Sequence, residues 1–165
     1  VAVESEETQA APLDASHDRD LSFMVRALAL AQKAQHLGEV PVGAVVVCDD
    51  QIVGEGYNRC ITDSDPTAHA EIQALRQAAQ RLGNYRLPGC QLFCTLEPCA
   101  MCAGAIFHAR LARVVFATPD PKTGVAGSVL NLFDLRALNH HTQLASGLCR
   151  SDAATQLQTF FRRLR

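Results

Sequence analysis

Val42-Gly43-Ala44-Val45-Val46-Val47-Cys48, then Asp49-Asp50, then Gln51-Ile52-Val53-Gly54-Glu55-Gly56-Tyr57: two β-rich runs flank a two-residue polar break and read as a hairpin. Upstream, Asp20 reads as an N-cap, and Leu21, Met24, Val25, Leu28 and Ala31 recur at helical spacing to about His36. Downstream, Asp65-Pro66-Thr67 punctuates the chain before an expected helix over 68–82, with Ile72, Leu75 and Ala79 on one face. A strand over 91–95, a helix over 99–109 and a strand over 113–117 follow. A stretch containing Gly124 and Gly127, a short strand over 142–145 and a closing helix over 152–164 complete the chain. After the hairpin, helices alternate with strands, so the class is α/β. The expected architecture is a three-layer α/β/α sandwich around a mixed, roughly five-stranded sheet, parallel after the hairpin.

At 165 residues and 48% hydrophobic content, the chain is long enough for one domain with a real core, and too apolar to be a disordered polyampholyte. Its longest apolar run, 40–48, is broken by Pro41 and Gly43 and falls short of the roughly 18 residues of a membrane span. The acidic, polar beginning carries no secretory pattern, so a cytoplasmic location without membrane attachment is expected. Charge is unevenly placed. Residues 1–20 hold six acids and one base, leaving 14 bases against 11 acids in residues 21–165. Residues 1–16 have no hydrophobic period and read as a disordered acidic tail ahead of one domain, 17–165. That domain is mildly basic, with Arg162, Arg163 and Arg165 at its end.

Seven cysteines, an odd number, argue against a closed disulfide framework. Cys48 and Cys149 read as core filler. Three segments carry chemistry: His69-Ala70-Glu71, Pro98-Cys99, and Cys102. A lone C-x-x-C fits a redox pair, half of a structural zinc site, or a catalytic zinc site with one open position. The redox reading gives His-x-Glu no role. A structural zinc needs a fourth ligand, from Cys94, His108, His140 or His141. Physical reasoning favours the open site. Cys99 and Cys102 lie three apart at a helix start, so both sulfurs share one side, and the helix end favours thiolate. Zinc held by His69, Cys99 and Cys102 lowers the pKa of its water to roughly 7, and Glu71, two residues from a ligand, can move that water's proton. Glu97 reads as a carboxylate that bonds backbone rather than as a second acid.

The spacing H-x-E…P-C-x-x-C is the signature of zinc nucleobase deaminases. The likeness extends through Glu39-Val40-Pro41-Val42-Gly43-Ala44, Gly56-Tyr57-Asn58-Arg59, Asp65-Pro66-Thr67-Ala68-His69-Ala70-Glu71-Ile72 and Thr95-Leu96-Glu97-Pro98-Cys99. It continues through Met101-Cys102-Ala103-Gly104-Ala105, Lys122-Thr123-Gly124, Ala126-Gly127-Ser128, Asn139-His140 and Phe160-Phe161-Arg162. The chain resembles bacterial tRNA-specific adenosine deaminases from residue 21 to its end. The resemblance implies a cytidine deaminase-like fold, a homodimer, one Zn²⁺ per subunit, and conversion of the wobble adenosine of a tRNA anticodon stem-loop to inosine. It also implies substrate contacts at Asn58 and Ala70, although an asparagine after a strand is by itself commonly a turn former. RNA contacts are expected at Asp120, Lys122, Phe161, Arg162 and Arg163. The metal and proton-shuttle residues are shared with guanine and cytosine deaminases, so a free-base or nucleoside deaminase is the rival enzyme. A zinc-stabilised RNA-binding module is the rival outside enzymes. Departures from the family pattern are residues 1–16, Cys94 in place of an aliphatic residue, and Pro119 and Pro121 on either side of Asp120.

Overall fold

Along β1 (Gly43–Cys48), successive side chains enter opposite layers: Ala44 and Val46 join one apolar cluster, Val45 and Val47 the other. β3 (Gln91–Leu96) divides in the same way, Leu92 and Cys94 against Phe93, as does β4 (Arg113–Thr118), Val114 and Phe116 against Val115 and Ala117. Strands apolar on both faces need cover on both. In the computed structural model, which describes residues 15–165, α1 (Ala15–His36) and α4 (Arg150–Arg163) cover one face through Met24, Ala27, Leu30 and Ala153. On the other lie α2 (Ala70–Leu82) and α3 (Ala100–His108), through Ala70, Ala74, Ala78, Ala103 and Ile106. With β2 (Gln51–Tyr57) and β5 (Gln143–Ser146), the sheet order is β2-β1-β3-β4-β5. β1 is antiparallel to both β2 and β3; β3, β4 and β5 run parallel. This is the α/β/α sandwich with a mixed five-stranded sheet expected from the sequence.

The expected disordered tail lies outside the described residues, apart from Ala15 and Ser16, which open α1. Asp20 is therefore not the N-cap. Its carboxylate instead accepts a bond from Arg113 Nη2 at 2.8 Å, tying α1 to the start of β4, while Asp18 supplies the negative charge of the first turn. The hairpin turn is Asp49-Asp50, with φ of 49° and 59°. Two left-handed residues give the twist that a two-residue hairpin needs. Val46 pairs with Gly54 and Val47 with Ile52, so Val53 is the extra residue of a β-bulge on β2. Among the described residues, no helix is long and apolar enough to cross a membrane.

α2 lies on β2 in backbone contact at two glycines. A Cβ at Gly54 would lie 2.2 Å from the Ala74 carbonyl oxygen, and one at Gly56 would lie 2.2 Å from that of Ala70. Facing them, Ala70, Ala74 and Ala78 repeat every fourth residue along the helix. Helix backbone thus rests directly on strand backbone. Gly56→Ala is expected to destabilise the protein by roughly 1–3 kcal/mol in urea unfolding, because the obstructing atom is backbone and cannot rotate away. Gly104→Ala, on α3 and facing open space, is the matched control and is expected to stabilise by up to about 1 kcal/mol through helix propensity.

Candidate functional site

β2 ends at Tyr57 and β3 at Leu96, and β1 begins beside both, so the chain leaves the sheet along one edge at Asn58 and Glu97. The segment from 58 to 69 folds back on itself. Arg59 N donates to the Ala68 oxygen at 2.9 Å, Asp65 Oδ1 accepts from Thr67 N at 2.8 Å and Thr67 Oγ1 at 2.7 Å, and Asn58 Oδ1 accepts from Ala70 N at 2.9 Å. The Thr67 hydroxyl bond also lowers the pKa of Asp65. His69 is thereby delivered as the N-cap of α2, one position before the helical turn in which the sequence places it. Cys99 is the N-cap of α3. Neither cap bonds its helix through the side chain, which leaves imidazole and thiol free to face each other.

The Cys99 and Cys102 sulfurs each lie 3.6 Å from His69 Nδ1. A tetrahedral zinc with bonds of about 2.3 Å to sulfur and about 2.0–2.1 Å to nitrogen requires a sulfur–nitrogen edge of about 3.6 Å. The donor set therefore fits zinc in both chemistry and spacing, with all three donors within 4.8 Å of one another. Cys102 is fully buried at the floor; His69 and Cys99 are half-buried toward the mouth. None of the alternative fourth ligands joins them. Cys94 is fully buried with Sγ directed at the Val115 oxygen at 3.9 Å, and His140 Nε2 bonds the Leu111 oxygen at 2.8 Å. His108 and His141 also lie outside the cluster.

Electrostatics at the site follow from burial and from the hydrogen bonds within the cluster. The hydrogen bond from Cys102 holds the Cys99 thiol down to about 4, with His69 adding to the effect. The same bond, with burial, pushes the Cys102 thiol up. His69 is raised, chiefly by its bond with Cys99. Glu71, 4% exposed in the first turn of α2, is pushed up to about 7 by burial, and its carboxyl reaches Cys102.

Two further carboxylates shape the surroundings. Glu97, 2% exposed, accepts from Asp120 N at 2.9 Å, Ala126 N at 2.8 Å, Ser128 N at 3.1 Å and the Ser128 hydroxyl. It gathers the loop after β4 around itself, as its reading as a backbone-bonding carboxylate anticipates. Gly124 is required there, since a Cβ would stand 2.3 Å from the Glu97 carboxyl carbon, and its backbone bridges to Cys99. Glu39, likewise 2% exposed, accepts from Thr62 N at 2.6 Å and Thr62 Oγ1 at 2.9 Å, anchoring the segment that leads to His69. Sequence reasoning gave Glu39 no role; the available signal was an acid directly before the apolar run that becomes β1.

Asp120, Lys122, Phe161 and Arg162 line a cavity of about 920 Å³ between α4 and the loop after β4; Arg163 does not. Asp120 spends its carboxylate inside the loop, on Lys122 N, Thr123 N and the Thr123 hydroxyl. Phe161 is 44% exposed, whereas Phe160 is buried and packs edge-on against it. The cavity holds none of the three zinc donors.

Residues 17–118 match the family described as the cytidine and deoxycytidylate deaminase zinc-binding region. A tRNA-specific adenosine deaminase of Haemophilus influenzae is 51% identical over 147 residues, covering 88% of this chain and 85% of that protein. A solved structure from work on A-to-I editing by tRNA:A34 deaminases is 43% identical, with a TM-score of 0.80 over 82% of this chain and 99% of that one. The guanine deaminase of Bacillus subtilis is 42% identical with a TM-score of 0.58, over 65% of this chain and 66% of that one. With the fold, the donor spacing and these matches agreeing, the chain belongs to the zinc-binding cytidine and deoxycytidylate deaminase family and, within it, to the tRNA-specific adenosine deaminases.

Proposed function

We propose that this protein hydrolyses the wobble adenosine of a tRNA anticodon loop to inosine and ammonia. The observation that carries this reading is the pairing of a three-donor cluster at zinc spacing with a buried carboxyl, Glu71, reaching its floor. His69, Cys99 and Cys102 are the residues that hold the metal. Zinc bound with its fourth position open supplies Lewis acidity and water with a pKa near 7. Glu71 takes a proton from the attacking water, delivers it to N1 of adenine, and returns a proton to the departing amino group. Its burial excludes competing water from that transfer. Asn58 and Ala70 form the wall that receives the base. The Ala70 N–H fixes the Asn58 amide with its oxygen inward, and the Nδ2 donors have no partner among the described residues, so they are available to an acceptor on a purine.

Adenine must leave its stack to reach this site, and an unpaired loop base costs least to extrude. Lys122, Phe161 and Arg162, with the loop anchored by Asp120 and with Arg163 next along α4, supply two features that suit single-stranded RNA, an exposed ring and cationic side chains. The free guanine reading is served by the same metal and carboxyl. It is disfavoured because the structural match to the tRNA:A34 deaminase, at a TM-score of 0.80, is better than that to the guanine deaminase, at 0.58. A zinc-stabilised RNA-binding module would leave buried Glu71 without a task. The same reading makes the chain a cytoplasmic homodimer with one zinc per subunit. The exposed apolar pair Val129-Leu130, beside the loop that Glu97 orders, supports an association surface.

Metal analysis of purified protein is expected to give about one zinc per chain, and light scattering about twice the chain mass. Cys99→Ala and Cys102→Ala should each lose the metal, whereas Glu71→Gln should retain it and lower turnover by roughly 10²–10⁴-fold or more. Full zinc retention by either cysteine variant would contradict the three-ligand site. Ammonia and inosine release, measured on a wobble-adenosine stem-loop beside free guanine, cytosine and adenosine, should be confined largely to the stem-loop. Binding should weaken steeply with salt, at a slope of about −0.7 per phosphate contact, and weaken further in Arg162→Ala/Arg163→Ala with zinc content unchanged. Fast, salt-insensitive deamination of a free base, with none on the stem-loop, would overturn the substrate assignment.

A further inference from the structure

We propose that Cys48 and Cys90 form a thiol–disulfide couple, a modification site open to low-molecular-weight disulfides and separate from the zinc cluster. The register of β1 on β3 pairs Ala44 with Cys94, Val45 with Phe93, Val46 with Leu92 and Val47 with Gln91. One step further, Cys48 stands opposite Cys90, and both pack against the same apolar cluster, as directly opposed residues must. Cys90 N donates to the Leu87 oxygen at 3.2 Å and its carbonyl accepts from Ala112 N at 2.9 Å, so it exchanges no backbone bonds with Cys48. Such a position is a non-hydrogen-bonded pair, where opposed Cα atoms approach to about 4.5 Å and side chains come closest. That separation falls within the roughly 4.4–6.8 Å that a disulfide spans.

The two thiols are unequal, which gives the site a direction. Cys48 is half-buried at the hairpin and meets solvent; Cys90 is 1% exposed. Burial and its contact with the Cys48 thiol push the Cys90 thiol up to about 12. Cys48 is thus the point of entry and Cys90 the resolving group. The deprotonated Cys48 sulfur attacks one sulfur of an external disulfide of the glutathione class, forming a mixed disulfide and releasing one thiol. Cys90 then gives up its proton and attacks the Cys48 sulfur, expelling the second thiol. Two protein thiols are oxidised to one S–S bond, and one external disulfide is reduced to two thiols.

No other cysteine outside the zinc cluster is placed for this exchange. Cys94 is fully buried, while Cys60 and Cys149 sit beside carboxylates, Glu39 and Asp65 in one case and Asp152 in the other. Cys90 directly precedes β3 and the metal segment follows the strand's far end, roughly 20 Å away. The bond would close the segment 48–90, which contains α2 and His69, into a covalent loop. Its effect falls on unfolding rather than on the chemistry of the site.

Zinc-loaded full-length protein treated with oxidised glutathione should lose two hydrogens in intact mass, yield a Cys48–Cys90 linked peptide, retain its zinc, and unfold at a higher urea concentration. Cys90→Ala should arrest at the glutathione adduct of Cys48, accumulating it roughly tenfold over the unaltered chain. Cys48→Ser should leave Cys90 unmodified. A bond mapped to any other cysteine pair, a lasting glutathione adduct on the unaltered chain, or no reaction would each overturn the proposal. Every readout is mass or unfolding, so the result stands apart from the assigned substrate.

Discussion

Backbone-to-backbone contact between α2 and β2 is the constraint on which the rest of the site depends. With Gly54 and Gly56 beneath Ala70, Ala74 and Ala78, no strand side chain separates helix from strand at these two positions. The axial position and rotation of α2 are therefore set by main-chain atoms rather than by adjustable packing. His69 and Glu71 stand at the N-terminal end of that helix, so their placement against Cys99 and Cys102 inherits this rigidity. A catalytic cluster tolerates little displacement, and a contact without rotatable side chains is one way to hold it.

The two buried carboxylates outside the cluster complete the framework in a different manner. Glu39 and Glu97 each satisfy donors from a loop rather than opposing a base, which is how a buried acid avoids the cost of an unpaired charge. One secures the segment before His69, the other the segment bridged to Cys99. Both halves of the donor set are thus attached to the sheet edge by hydrogen bonds in addition to helix docking.

Most of this was legible in the sequence because the deciding signals are local. The hairpin, the alternation of helices with strands, and the His-x-Glu and Cys-x-x-Cys spacings each occupy a few residues. What escaped depends on distant partners. Asp20 reads as a cap until Arg113, 93 residues away, is seen to claim its carboxylate. Glu39 has no role to read until Thr62 is brought over it. Cys48 reads as filler because its counterpart lies across the sheet, beyond the reach of any spacing rule. The cavity under α4 has no sequence signature either, since Leu96, Thr118 and Phe161 meet only when the parallel strands end together.

β2 is an outer strand of the sheet, and two of its backbone groups are engaged by α2. Glu55 N donates to Gln77 Oε1 at 2.8 Å, and Arg81 reaches the Ile52 oxygen at 3.4 Å, both from α2. The bulge at Val53 and the ion pair of Glu55 with Arg26 further spoil the regular ladder that another strand would need. The helix that carries the chemistry therefore also terminates the sheet. A second copy of the chain cannot join by adding a strand along β2. Along this edge, self-association must use side-chain surfaces, and the strand-addition route from folded protein to fibre is closed.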